Sequence, residues 1–284
     1  MLRPILVFCL LGLMTLGLDA AEMMVRRDIA YCQPTNERQL LDIYSPSAGQ
    51  DHPIIVWIHG GGWTKGNKTS VQNKPRAFTE RGFVFVSTNY RFAPVVGVKE
   101  MVGDVAKAIR WAHDHAKEFG GDPNSVYVMG HSAGAHLAAL VCTDDRYLTA
   151  EGLSLSIIKG CVPVDVSVYD IPKRIRDSGA TAPPPGLEAI FGDSEESHQD
   201  LSPVTHITKG KNIPPFLILH VADRPETKTQ SQWLAEKLEG ASVWAEVVAA
   251  EGKTHGTINT ELGLSEDKPT QSLFKFLAED HRKP

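Results

Sequence analysis

The chain has 284 residues, with 29 lysines and arginines against 34 aspartates and glutamates, a formal charge of −5. That length suits one α/β domain with a large buried core. The mild acidity, with no run of basic residues, excludes the electrostatic footprint of a nucleic-acid-binding protein.

Arg3 precedes an apolar stretch over 5–18, and the small residues Ala20 and Ala21 follow it. This is the layout of a secretory signal peptide, so we expect a signal over 1–21 and a mature domain over 22–284. The protein is then secreted or periplasmic. The stretch is short for a membrane span, and an uncleaved anchor is the alternative, because Leu18 or Asp19 stands where a cleavage site prefers a small residue. Cys9 falls inside the stretch, which leaves Cys32, Cys142 and Cys161. An odd number argues against a disulfide-built scaffold. Cys142 and Cys161 read as small buried hydrophobes.

Beyond this segment, strands and helices alternate, the pattern of an α/β fold with a mostly parallel sheet covered on both faces. Strands are predicted over 29–32, 40–44, 54–59 and 83–88. The third is an apolar, β-branched run of the buried parallel kind, and His59-Gly60-Gly61-Gly62-Trp63 follows it directly. Apolar residues at 102, 105, 109, 112, 116 and 119 mark one face of an amphipathic helix, closed by Gly120-Gly121. His113 and His115, two apart on that helix, diverge and do not form a metal pair. A strand over 125–129 leads into Gly130-His131-Ser132-Ala133-Gly134 and a helix over 133–141. Further strands are predicted over 157–162, 216–221 and 243–248, with helices over 228–239 and 270–280. Only 165–212, rich in Pro, Gly, Asp and Ser, breaks the rhythm.

Two of these motifs carry chemistry. The pentapeptide around Ser132 has the G-x-S-x-G form of a nucleophile elbow, a tight strand-to-helix turn that lifts a serine hydroxyl into a cleft. Attack on a carbonyl generates an oxyanion that needs fixed N–H donors, and a glycine-rich loop lets backbone amides approach it. Gly61 and Gly62, joined by Ala133, are the candidate donors. Trp63 beside them either walls the acyl pocket or packs beneath the loop.

Leu41-Asp42-Ile43-Tyr44, HGGGW, Asn89-Tyr90-Arg91, Gly121-Asp122-Pro123 and GHSAGAHLAAL together resemble serine esterases of the α/β-hydrolase fold. The group is that of the HGGG-bearing carboxylesterases and hormone-sensitive-lipase-like enzymes, near feruloyl and acetyl-xylan esterases and kynurenine formamidases. In such proteins the segment matching 165–212 often forms a lid or pocket wall. Tyr90 reads as structural, held by its buried hydroxyl.

A serine hydroxyl needs a neighbouring base, and the chain order of this fold is serine, acid, histidine. His255 follows the last predicted strand on a loop and is the candidate base. His136 lies on the helix after Ser132, His59 and His131 belong to the two motifs, and His220 ends a strand. For the acid, the resemblance implies Asp223, a few residues beyond His220. Asp165, after the preceding strand, is the rival, and Glu226 is a third. The chain departs from the common pattern at Val221, where glycine often stands.

The expectation is a serine hydrolase cleaving carboxylic esters through an acyl-enzyme, without metal or cofactor. Its substrate would be a small-molecule or polysaccharide-linked ester. Formamide or amide hydrolysis by the same residues is one alternative. A non-catalytic binding protein on the hydrolase fold is another.

Overall fold

Apolar side chains fill both faces of the central strands, and the sheet they build is covered on both sides. The computed structural model describes residues 23–181, 183 and 185–281, so the signal-peptide expectation lies outside the described residues. Eight strands are Met24–Ala30 (β1), Leu40–Ser45 (β2), His52–Ile58 (β3), Val84–Thr88 (β4), Gly121–His131 (β5), Ile158–Val164 (β6), Phe216–Val221 (β7) and Ala245–Ala250 (β8). Their spatial order is β1-β2-β4-β3-β5-β6-β7-β8. β2 is antiparallel to β1 and β4, and all pairs from β4 to β8 are parallel.

The helices are Lys74–Thr79 (α1), Val98–Asp114 (α2), Ala133–Thr143 (α3), Asp145–Ala150 (α4), Ile171–Asp177 (α5), Pro185–Phe191 (α6), Glu195–Asp200 (α7), Pro225–Gly240 (α8), Thr257–Thr260 (α9) and Lys268–Ala278 (α10). Alternation along β3 divides the core. Ile54, Val56 and Ile58 join α2 and α3 residues such as Val105, Ile109 and Leu137 on one face. Ile55 and Trp57 join Phe78, Leu273 and Phe276 on the other.

The sheet follows the expected plan; β5 starts earlier, at Gly121, the short helices α1, α4 and α9 are additional, and other local differences have physical reasons. β1 begins at Met24, well before residue 29, because this edge strand is exposed along most of its length and so carries no apolar signal. The helix expected over 102–119 is α2 followed by a separate 3₁₀ turn, Ala116–Phe119, with the break at His115; Gly120, at φ 77°, ends the turn. The segment 165–212 contains three short helices, α5 to α7, and a 3₁₀ turn over Pro203–His206 that packs against α3 and α8.

From β3 the chain passes outward to β4, then crosses back to β5 on the other side of β3. The loops leaving the carboxyl ends of β3 and β5 therefore diverge around a crevice, the usual ligand position in open parallel sheets. The HGGGW loop and Ser132 lie there.

Candidate active site

Ser132 occupies the turn between β5 and α3 with φ 55°, a left-handed conformation that a non-glycine residue adopts rarely. Such strain is characteristic of functional turns. The turn is held by the Ser132 N–H, which donates to the Val164 carbonyl at 2.9 Å, and by the Ala135 N–H, which donates to the Ser132 carbonyl at 2.8 Å. Gly134 is required by crowding: a Cβ there would lie 2.2 Å from the Ile58 carbonyl oxygen. Its absence lets the first turn of α3 sit directly on the end of β3.

The HGGGW loop lies against the elbow. A Cβ on Gly60 would stand 3.0 Å from the Ser132 Cβ, so the two backbones are in near contact. Gly61 has φ 132° and accepts N–H donors from Thr64 and Lys65 on its carbonyl at 3.2 and 3.1 Å. A Cβ at Gly61 would lie only 2.0 Å from the Lys65 carbonyl oxygen, which restricts the position to glycine. Among the described residues, no group accepts the N–H of Gly61, Gly62 or Ala133. His59 anchors the loop from below: its ring stacks on Tyr90 at 4.6 Å, and the Tyr90 hydroxyl donates to the His59 carbonyl at 3.2 Å.

His255 comes from the loop after β8 and lies beside Ser132. The Ser132 hydroxyl donates to His255 Nε2 at 3.0 Å, and His255 Nδ1–H donates to Asp165 Oδ2 at 2.6 Å. This tautomer follows from the carboxylate, which can only accept. Asp165 is fully buried, and its second oxygen, Oδ1, accepts the Val221 N–H at 3.0 Å. Burial raises the pKa of this carboxyl, but the hydrogen bonds from His255 and Val221 and the Arg224 charge together bring it down to about 2. His131 steadies the same loop by donating from Nε2 to the His255 carbonyl at 2.8 Å. Burial and the nearby His255 push the His131 imidazole down to about 3, so it stays neutral.

The structure brings Asp165, rather than the expected Asp223, to His255. Asp165 follows β6 at φ 53°, a backbone turn that swings its side chain toward His255. After β7, the Ala222 N–H pairs with the Ala250 carbonyl at 3.1 Å, and the chain then turns, the Arg224 N–H donating to the Val221 carbonyl at 3.3 Å. Arg224 faces His255, its Nη1 lying 2.9 Å from Nδ1, and the side chain of Asp223 is left exposed to solvent. Glu226 pairs with Arg224 at 3.1 Å rather than with the histidine. Arg224 was not among the candidates from sequence; its one signal was the cation directly following Asp223, beside the unusual Val221.

Trp63 is buried and packs edge-on against Phe191 of α6 at 5.0 Å and His136 of α3 at 5.7 Å. The ring therefore ties the glycine loop to the segment 165–212. His136 donates from Nε2 to the Leu201 carbonyl at 2.8 Å, away from Ser132 and His255. Among the described residues, no group of His, Cys, Asp and Glu could hold a metal ion, and no helix is long and apolar enough to cross a membrane.

The sheet order, the strained serine turn and the hydrogen-bonded row of Ser132, His255 and Asp165 define an α/β-hydrolase. Comparison with known proteins agrees. The chain belongs to the BD-FAE family, which matches residues 41–238. It is 30% identical over 249 residues to the isoprenylcysteine alpha-carbonyl methylesterase ICME of Arabidopsis thaliana, covering 81% of this chain and 56% of that protein. It is 34% identical over 177 residues to the probable carboxylic ester hydrolase LipM of Mycobacterium tuberculosis, covering 59% of this chain and 40% of that protein. The chain spans about half the length of the curated relatives it matches. Among solved structures, a truncated carbohydrate esterase from gut microbiota shares the fold with a TM-score of 0.77 at 22% identity, over 94% of this chain and 99% of that one.

Proposed function

We propose that this protein hydrolyses carboxylic esters through an acyl-enzyme, with Ser132 as nucleophile, His255 as general base and acid, and Asp165 as the residue that orients His255. The observation that carries this reading is the unbroken path from the Ser132 hydroxyl through Nε2 and Nδ1 to a buried, ionised carboxylate. As Ser132 Oγ bonds to the ester carbonyl carbon, its proton moves to Nε2. Asp165 stabilises the imidazolium through Nδ1–H. The N–H groups of Gly61, Gly62 and Ala133 stabilise the oxyanion, each contributing about 3 kcal/mol in the transition state. His255 then gives its proton to the departing alcohol, and water repeats the sequence on the acyl-enzyme.

The named functions of the curated relatives, a methylesterase and a carboxylic ester hydrolase, support an ester over an amide. Within that class we propose short-chain or cell-wall acetyl and feruloyl esters, with Trp63 and Phe191 limiting the acyl side. Export is part of the same reading, resting on Arg3 and the apolar stretch that follows. The test is hydrolysis of p-nitrophenyl acetate together with labelling by a fluorophosphonate. Wild-type protein is expected to do both, and Ser132→Ala to lose the label and at least about a thousandfold in rate. Wild-type turnover by Ser132→Ala would overturn the proposal. A series of acyl esters with N-formylkynurenine as comparator fixes the class of bond.

A further inference from the structure

Arg224 stands between β7 and α8 and reaches the triad on the Nδ1 edge of the imidazole, away from Ser132. Its Nη1 donates to Asp165 Oδ2, the oxygen that also accepts from His255 Nδ1–H, and lies 2.9 Å from that ring nitrogen. Two donors thus converge on one carboxylate oxygen, and a permanent positive charge faces the ring that must become positive during catalysis. We propose that Arg224 is a positioning residue of the hydrolase site, one that pins Asp165 Oδ2 and sets the pH range in which His255 acts as a base. This rests on the assignment of Ser132, His255 and Asp165 made above.

The sign follows from the charges around the ring. Asp165 favours the imidazolium, whereas the guanidinium opposes it. Glu226 on α8 pairs with Arg224 at 3.1 Å and moderates that opposition. His131, whose ring centroid is 4.5 Å from that of His255, is neutral, and the charge of Lys74 acts on His131. Removing the Arg224 charge is therefore expected to move the acid limb of activity to higher pH. The same charge weakens the stabilisation of the imidazolium once it forms.

The experiment is the pH profile of kcat/KM for p-nitrophenyl acetate in wild type, Arg224→Gln, Arg224→Lys and Glu226→Gln, with fluorophosphonate labelling rates as a second readout. Arg224→Gln is expected to move the acid limb upward by about one pH unit, from a unit charge near the ring at partial solvent exposure. Arg224→Lys, which keeps the charge, should stay within about 0.3 unit, and Glu226→Gln should shift the limb downward. A merely structural arginine would lower the rate at every pH without moving the limb. An unmoved limb in Arg224→Gln, or an equal displacement in Arg224→Lys, overturns the proposal. Where Arg224→Gln does not fold, an unmoved limb in Glu226→Gln overturns it instead. Failure of the underlying triad is distinguishable: Asp165→Asn would then keep the wild-type rate, whatever the arginine variants do.

Discussion

Asp165 and Asp223 each follow a strand and are both carboxylates, but different turns carry them. At Asp165 a left-handed φ of 53° turns the side chain inward, where three donors meet its two oxygens. At Asp223 the turn after β7 places Arg224 against His255 and leaves the carboxylate in solvent. Asp165→Asn is therefore expected to cut kcat by about 10⁴, the typical loss when a triad acid becomes an amide. Asp223→Asn should stay within about twofold of wild type. Steady-state rates of the two variants at neutral pH check both, and a reversed order would return the acid to Asp223. The sequence could not separate the two. Both positions fit the chain order, and a positive φ at a non-glycine residue leaves no mark in composition or periodicity.

Elements differ in how openly the sequence announces them. β4 and β7 and the latter parts of β3, β5 and β6 are largely buried and show as apolar runs, so their places follow from the sequence. The glycine spacing around Ser132 likewise shows, because helix and strand meet there backbone to backbone. β1, exposed at the sheet edge, and α5 to α7, each only six or seven residues long, carry too little period to be seen. The contact of α3 with β3 makes a test at this scale. In Gly134→Ala the new methyl would meet the Ile58 carbonyl oxygen at 2.2 Å, so the helix must move off the strand. We expect a loss of about 2–4 kcal/mol, in the range of severe overpacking, with turnover of p-nitrophenyl acetate falling alongside. Urea denaturation of the variant measures it.

At the scale of the whole molecule, stability is tied to keeping several buried histidines neutral. Burial pushes His59 and His136 down to about 4 and His131, also facing His255, down to about 3. In the unfolded chain each takes up a proton near pH 6.5. A folded value below the unfolded one means that the unfolded state binds more protons, so stability is full above pH 6.5 and falls as the pH drops toward 4. Three protons set a maximum slope of about 4 kcal/mol per pH unit in that window. Urea unfolding at pH 7, 6 and 5 is expected to show a steepening loss, and His136→Gln should remove about one proton from the slope. A stability flat from pH 7 to 5 would contradict the neutral histidines.

The turn after β7 has one further use. Asp223 is exposed, while its neighbour Arg224 touches the reacting histidine. A dye or surface tether attached at position 223 would begin one residue from Arg224 without entering the site. Cys142 and Cys161 are buried and Cys32 is partly so, which favours a thiol at position 223 in labelling. The position where a catalytic acid was expected is thereby a handle by which the protein can be held, and its ionisation watched, as it works.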